Sequence, residues 1–309
     1  MSLSQNDDQK HRIEAWNTRT TPTYQHVTVR KIAPSLGAEV SGIDLRQELT
    51  PEQVADVKAA IADNLVLVFR HQQLDGEAHK RFARHFGTLH RHKLAADRTQ
   101  TERSNDPEIL AWKTSRQSRF TAGEAWHSDV SCDKEPIWGS FLRVTRNPDV
   151  GGGDTAFANM YLAYETLSDP LKAFLQTLTA VHDGAHAWTR GYGAQPQPGQ
   201  TFPATEHPLI ARHPHTGRPF LYVNSGFTSH IPQLARAESD ALLQFLFRHI
   251  EQNLLFQVRV SWRDDTLVFW DNWATQHHAV WDYYPFERWG ERVSASIGLS
   301  PQAAAGAPT

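Results

Sequence analysis

The chain has 309 residues, 39% of them hydrophobic and 21% charged, enough for one large globular domain. Lys and Arg number 31 against 34 Asp and Glu, a net charge of −3, so no basic excess exists to hold a phosphate backbone or an anionic membrane. The longest apolar-rich runs, residues 65–69 and 242–247, fall far short of the ~20 residues that a bilayer span needs. Neither nucleic acid nor membrane is an expected partner. A single cysteine and an N-terminus without an apolar signal core point to a reducing, cytoplasmic setting. Histidine is in surplus at 17 residues, and neutral imidazole is the commonest metal ligand in proteins.

Residues 1–23 are polar and aperiodic and are expected to be a mobile tail, as are the small residues and prolines of 301–309. Between them, 24–300 shows no linker and reads as one domain. Thr50, Pro51 and Gln53 form a capping box, and Val54, Val57 and Ile61 recur at helical spacing, which predicts a helix over 51–64 and a strand over 65–69. A second helix is predicted over 76–86, stopped by Gly87. Further helices are expected over 160–167, 170–178 and 237–252. His213 to Gly217 reads as a hairpin tip between Ile210 and the run 220–223. Residues 256–262 alternate with period two, and Asp264-Asp265 turns the chain into a strand over 266–270. Strands crowd the second half without regular β-α alternation, so the expected fold is mainly β with flanking helices, a β-sandwich or jelly roll.

No GxxxxGK[ST], GxSxG, HExxH or CxxC occurs, which removes the usual signatures of nucleotide, serine-hydrolase, zincin and zinc-ribbon chemistry. The His-x-His pairs at 90–92 and 213–215 lack the glutamate that a cupin metal site would add. Trp126-His127-Ser128-Asp129 places an imidazole and a carboxylate two residues apart, on one side of an extended segment. By itself this is weak, since chance supplies about one His-x-Asp at this composition. A distal histidine in the segment Trp270 to His278 would complete two nitrogens and one oxygen. Three ligands on one face of an octahedral ion leave three open positions, the arrangement of non-haem Fe(II) oxygenases. Arg288 and Arg292 follow, and a guanidinium matches a carboxylate by paired hydrogen bonds.

Taken together, WHSD at 126–129, GGDT at 152–155, YVNSGFT at 222–228, FQVR at 256–259, WDN-x-x-TQH at 270–277 and the arginines at 288 and 292 resemble the taurine dioxygenase (TauD/TfdA) family. The resemblance runs in order over nearly the whole ordered chain. It implies a double-stranded β-helix, the jelly roll, with Fe(II), 2-oxoglutarate and dioxygen at one site. It implies hydroxylation of a substrate C–H bond with decarboxylation of 2-oxoglutarate to succinate and CO2. Residue by residue it makes His127, Asp129 and His277 the iron ligands, His277 rather than His278 because it holds the TQH position. It places the far carboxylate of 2-oxoglutarate on Arg288 and the Thr155 hydroxyl. It lines the substrate pocket with Arg292, His92 and Phe227, fit for a small organic anion: a sulfonate, a sulfate ester or a carboxylate.

The chain also departs from the taurine pattern. Gly123 stands where the taurine enzyme has asparagine, and Ala95 and His278 stand where it has tyrosines. An amine would lose two polar partners, so taurine itself is not the expected substrate. An amino-acid-like or biosynthetic substrate remains open, as does a hydrolase or lyase using Zn²⁺ in the same triad. Residues 188–200, rich in Gly, Pro and Gln, could form a lid. Cys132 reads as a packing thiol, and a homo-oligomer is expected on general grounds.

Overall fold

A computed structural model describes residues 7–92, 106–119, 121, 123–192 and 199–304. The chain begins with α1 (Asp7–Asn17), β1 (Thr28–Lys31), β2 (Ala38–Ser41), α2 (Pro51–Asn64), β3 (Val66–Phe69), α3 (Gly76–Arg84), β4 (Thr88–Leu89) and β5 (Leu110–Thr114). It continues through β6 (Gly139–Arg146), β7 (Thr155–Asn159), α4 (Met160–Glu165), α5 (Asp169–Leu175), β8 (Thr179–Asp183) and α6 (Gly184–Tyr192). Next come β9 (Ala204–Pro208), β10 (Ile210–Arg212), β11 (Pro219–Leu221), β12 (Thr228–His230) and α7 (Arg236–Glu251). The last strands are β13 (Gln257–Val260), β14 (Thr266–Asp271), β15 (Thr275–Ala279), β16 (Arg288–Ser296) and β17 (Gln302–Ala303).

The large sheet runs β1-β2-β3-β14-β6-β16-β4, with β5 on β16, and is antiparallel except for β2 beside β3. A smaller antiparallel sheet, β13-β7-β15, carries the other half of the site. Strand β14 is buried at all six positions, which is why its sequence, TLVFWD, is an apolar run and not an alternating one. Phe269 on β14 stacks on Phe141 of β6 at 4.2 Å, and Phe82 of α3 meets both edge-on. No helix among the described residues is long and apolar enough to cross a membrane.

The capping box forms as expected: Gln53 N–H donates to Thr50 Oγ1 at 3.2 Å and Thr50 N–H to Gln53 Oε1 at 3.0 Å. Helix α2 closes at Leu65, a left-handed residue (φ 65°) whose N–H still reaches Ile61 O, so the strand starts one residue later than its apolar run. Gly87 does more than end α3: a Cβ there would stand 2.4 Å from Ser296 O, so only glycine lets this turn approach β16.

Both expected tails need correction. Residues 7–17 form α1, anchored by Trp16, which is 4% exposed and lies against Tyr161 with Arg19 and Arg218 over its ring. One aromatic anchor leaves no hydrophobic period to read. At the other end, β17 pairs with β10 and Ala304 is buried, so 301–304 is part of the fold. Helix α6 also arises where the sequence signals only a loop.

Two histidines tie the interior together through backbone carbonyls. His79 Nε2 bonds Phe141 O at 2.9 Å, and His182 sits between Ser131 Oγ and Tyr222 O. Burial pushes each down to about 3, so both are neutral in the fold. Their folded pKa lies below the unfolded value, so the unfolded chain takes up the protons. The stability present above pH ~6.5 is therefore lost as pH falls towards 3, by up to about 1.4 kcal/mol per pH unit for each histidine. Urea denaturation from pH 7 to 5 is expected to show this slope, and His79→Gln to make it shallower; an unchanged slope in the variant would contradict the assignment.

Candidate metal centre

The motif WDN-x-x-TQH is first of all a turn. Asp271 Oδ1 accepts from the N–H groups of Trp273 and Ala274, Thr275 Oγ1 donates to Asp271 O, and these bonds fold β14 back into β15. Asp271 Oδ2 is 2.9 Å from His213 Nε2, both fully buried, so the turn is tied to the hairpin of β10 and β11 as well. Asn272 reaches the other way. It accepts from Asp129 N–H at 2.8 Å and donates to Asp129 O and Ile137 O at 3.0 Å, which clamps the WHSD segment in place.

His127 and His277 exchange backbone hydrogen bonds, 3.1 Å from His127 N to His277 O and 2.9 Å in return. The two imidazoles therefore stand side by side, ring centroids 4.1 Å apart. His278, the next residue on β15, faces Trp126 instead, as strand alternation requires. Gly226 is demanded by this packing, since a Cβ on it would lie 2.8 Å from His127 Cβ. Its own N–H bonds Trp126 O, so the glycine of YVNSGFT seats WHSD.

One ligand atom from each of His127, Asp129 and His277 lies within 4.8 Å of the others. Asp129 Oδ1 is 3.6 Å from His127 Nε2, and Asp129 Oδ2 is 3.9 Å from His277 Nε2. His127 Nδ1 donates to Ala125 O at 2.7 Å, because a carbonyl only accepts, which leaves Nε2 as the nitrogen that can face a metal. Burial holds His277 well below the usual histidine value, so that ring is neutral. Burial pushes the Asp129 carboxyl upward, but the charge of Arg292 beside it outweighs burial and holds it well below the usual range. Two imidazoles and one carboxylate on one face fit Fe(II).

The carboxylate is oriented from the large sheet. Ser140 Oγ on β6 donates to Asp129 Oδ2 at 2.9 Å, and Arg292 Nη1 on β16 donates to Oδ1. The centre thus lies where the two sheets meet, with His277 from one and the supports of Asp129 from the other. Ser140 is a contribution that its isolated position in sequence does not announce.

Four residues before Arg292 on the same strand, Arg288 is 2% exposed. Its guanidinium carbon lies 5.2, 5.4 and 5.6 Å from the rings of Trp112, Trp262 and Tyr283. Its Nε and Nη2 have no hydrogen-bond partner among the described residues. Unpaired buried donors on a cation are costly unless a ligand completes them, and a carboxylate does so with matching geometry. Thr155 Oγ1 accepts from Trp262 Nε1 beside it. These residues could hold the distal carboxylate of 2-oxoglutarate.

His92 is buried, its Nε2 has no partner among the described residues, and burial, then the charge of Arg292, pushes its pKa down to about 3. Arg292 Nε is likewise unpartnered among the described residues. Phe227 is half-buried, its ring 6.3 Å from that of His127. The structure therefore brings His92, Arg292 and Phe227 to the triad. Gly123 (φ 92°) lies so close that a Cβ would be 3.1 Å from His127 Cε1. Cys132 is buried and its thiol pushed up to about 12 by that burial, consistent with packing. Ala95 and residues 193–198 of the expected lid lie outside the described residues, and the start of that segment belongs to α6.

Residues 28–294 match the family model described as taurine catabolism dioxygenase TauD, TfdA family. The chain is 35% identical over 281 residues to an alpha-ketoglutarate-dependent sulfonate dioxygenase of Saccharomyces cerevisiae, covering 86% of this chain and 66% of that protein. It thus spans just under two thirds of that relative's length. It is 29% identical to an alpha-ketoglutarate-dependent sulfate ester dioxygenase of Pseudomonas putida, over 89% and 91% of the two chains. The crystal structure of a taurine dioxygenase from Burkholderia xenovorans superposes with a TM-score of 0.77 at 33% identity, covering 92% of this chain and 95% of that one. That likeness bears out the jelly roll expected from the sequence. With the motifs, the triad and the fold all in agreement, the chain belongs to the taurine catabolism dioxygenase TauD, TfdA family.

Proposed function

We propose that this protein hydroxylates a C–H bond of a small organic anion, a sulfonate, a sulfate ester or a carboxylate. As a family member it is a 2-oxoglutarate-dependent dioxygenase that uses Fe(II) and dioxygen. When bound, the iron and 2-oxoglutarate supply the oxidising chemistry, with succinate and CO2 as coproducts. His127, Asp129 and His277 hold the metal, and Ser140 and Arg292 keep the carboxylate turned towards it. Arg288 and Thr155 take the distal carboxylate of 2-oxoglutarate. The observation that carries this reading is that Nε and Nη2 of Arg288, a buried cation four residues before Arg292 on β16, have no partner among the described residues, a feature that a zinc hydrolase or lyase would not need.

Arg292 uses one nitrogen on Asp129 and keeps Nε free, so it can hold a substrate anion and orient the carboxylate together. His92 adds a neutral ring to the same anion pocket, and Phe227 forms an apolar wall. A sulfonate hydroxylated at the carbon bearing sulfur loses sulfite and leaves an aldehyde; a sulfate ester loses sulfate in the same way. Gly123 offers an amine no side-chain partner, and His278 is turned to Trp126, so taurine is not the preferred substrate. A cytoplasmic setting and self-association are part of the same proposal.

Arg292→Ala is expected to raise the KM for the substrate anion by roughly 10- to 100-fold, the range for one charged hydrogen-bonding group, with the 2-oxoglutarate requirement little changed. Steady-state kinetics against a panel of alkyl sulfonates, sulfate esters and carboxylates reads both. If 2-oxoglutarate is weakened instead, the two arginines have been assigned in the wrong order.

A further inference from the structure

Val260 on β13 stands opposite Thr155 on β7, and Trp262, two residues on, returns to the same side of the strand. Its indole is 4% exposed and touches both members of the carboxylate chamber: Nε1 donates to Thr155 Oγ1 at 3.0 Å, and the ring lies 5.4 Å from the Arg288 guanidinium carbon. An indole N–H can only donate. The Thr155 oxygen therefore gives one of its two lone pairs to Trp262, which sets the hydroxyl's rotation and leaves its proton to be given elsewhere. Among the described residues the Thr155 hydroxyl makes no other hydrogen bond. The phenol of Tyr283, the neighbouring wall, is already paired with Thr114 Oγ1 at 2.6 Å.

We infer that Trp262 is a positioning residue for cosubstrate binding: its N–H occupies one lone pair of the Thr155 oxygen and turns the hydroxyl to donate to a carboxylate beside Arg288. A free threonine hydroxyl can donate or accept, and rotates between the two. A carboxylate only accepts, so a hydroxyl already turned to donate binds it without reorientation, and neutral groups that must donate gain nothing there. Trp262 thus acts through Thr155 and sharpens the choice of a dicarboxylate over a monocarboxylate 2-oxoacid. The inference rests on reading Arg288 and Thr155 as the site of the distal carboxylate.

The test uses the Mn(II)-loaded full-length protein and calorimetric titration with two ligands, 2-oxoglutarate and 2-oxovalerate, which has the same carbon chain without the distal carboxylate. Trp262→Phe keeps a ring in place and removes the N–H. It is expected to weaken 2-oxoglutarate roughly tenfold, the loss of one charge-assisted hydrogen bond, and to leave 2-oxovalerate unchanged. In a Thr155→Val background the same change should add nothing, because its route has been removed. Equal weakening of both ligands, or a further loss in the double variant, would make Trp262 a packing wall and overturn the inference. Arg288→Ala separates the two possible failures: if 2-oxoglutarate is unaffected by it, the chamber reading falls and takes the inference with it. A large loss from Arg288→Ala with none from Trp262→Phe overturns the inference alone. Should Trp262→Phe not fold, Thr155→Ser must keep the full discrimination between the two ligands and Thr155→Val must reduce it roughly tenfold; any other pattern overturns the inference.

Discussion

Asp129→Ala is expected to abolish iron-dependent succinate formation, a loss of at least about 10³-fold, because the metal would keep only two neutral ligands. The effect should exceed that of either histidine variant. Asp129 supplies the negative charge of the donor set, and it is also the partner of Ser140 and Arg292. Without it, a cation that is mostly buried stands beside the metal site with nothing to offset it, which opposes a divalent ion directly. Metal content and succinate release, measured on folded protein, check both parts. Retention of iron and normal turnover would remove Asp129 from the ligand set.

Arg288→Ala is the second large effect, and its expected signature is a split. The 2-oxoglutarate concentration for half-saturation should rise about 100-fold, while kcat at saturation changes little and the KM for the substrate anion stays put. Thermal stability should not fall. Arg288 is walled by Trp112, Trp262 and Tyr283, and its Nε and Nη2 find no acceptor among the described residues, so the fold carries a buried cation whose best partner is the ligand. A variant that binds 2-oxoglutarate poorly yet melts no lower than the parent would show that this arginine is kept for binding. If instead the melting temperature falls and cosubstrate affinity holds, Arg288 is a structural residue.

Much of this was legible in the chain itself, for local reasons. The capping box of α2 and the turn chemistry of Asp271 to Thr275 are satisfied by neighbours a few residues away, so they can be read directly. The ligand motif WHSD and the TQH histidine are linked by a backbone bridge across 150 residues, which spacing alone does not reveal; the family resemblance supplied it. On β15 the bridge to His127 and strand alternation set His277 beside His127 and turn His278 to Trp126, which is why spacing alone could not separate the two.

What the sequence hid depends on tertiary approach. Helix α1 is held by Trp16 on Tyr161, a contact between distant segments, so its polar sequence reads as a tail. Leu65 takes a left-handed conformation because burial overrides its intrinsic preference, which shifts the start of β3. Ser140 looks ordinary in sequence and matters because β6 delivers it to Asp129, and the clamp that Asn272 puts on Asp129 shows only in the fold. Arg292 was legible as an anion binder, but its bond to the Asp129 carboxylate appears only when β16 is laid beside the metal site.

The most direct test is anaerobic. Fe(II) and then 2-oxoglutarate are added to the purified protein, and the visible spectrum is followed for the weak charge-transfer band of an Fe(II)–2-oxoglutarate chelate. The account predicts a band that saturates at one iron per chain, is lost in Asp129→Ala, and shifts when a substrate anion is added beside Arg292. Folded, iron-loaded protein that shows no band at saturating 2-oxoglutarate would contradict the oxygenase reading and turn attention to metal-bound water chemistry at the same triad.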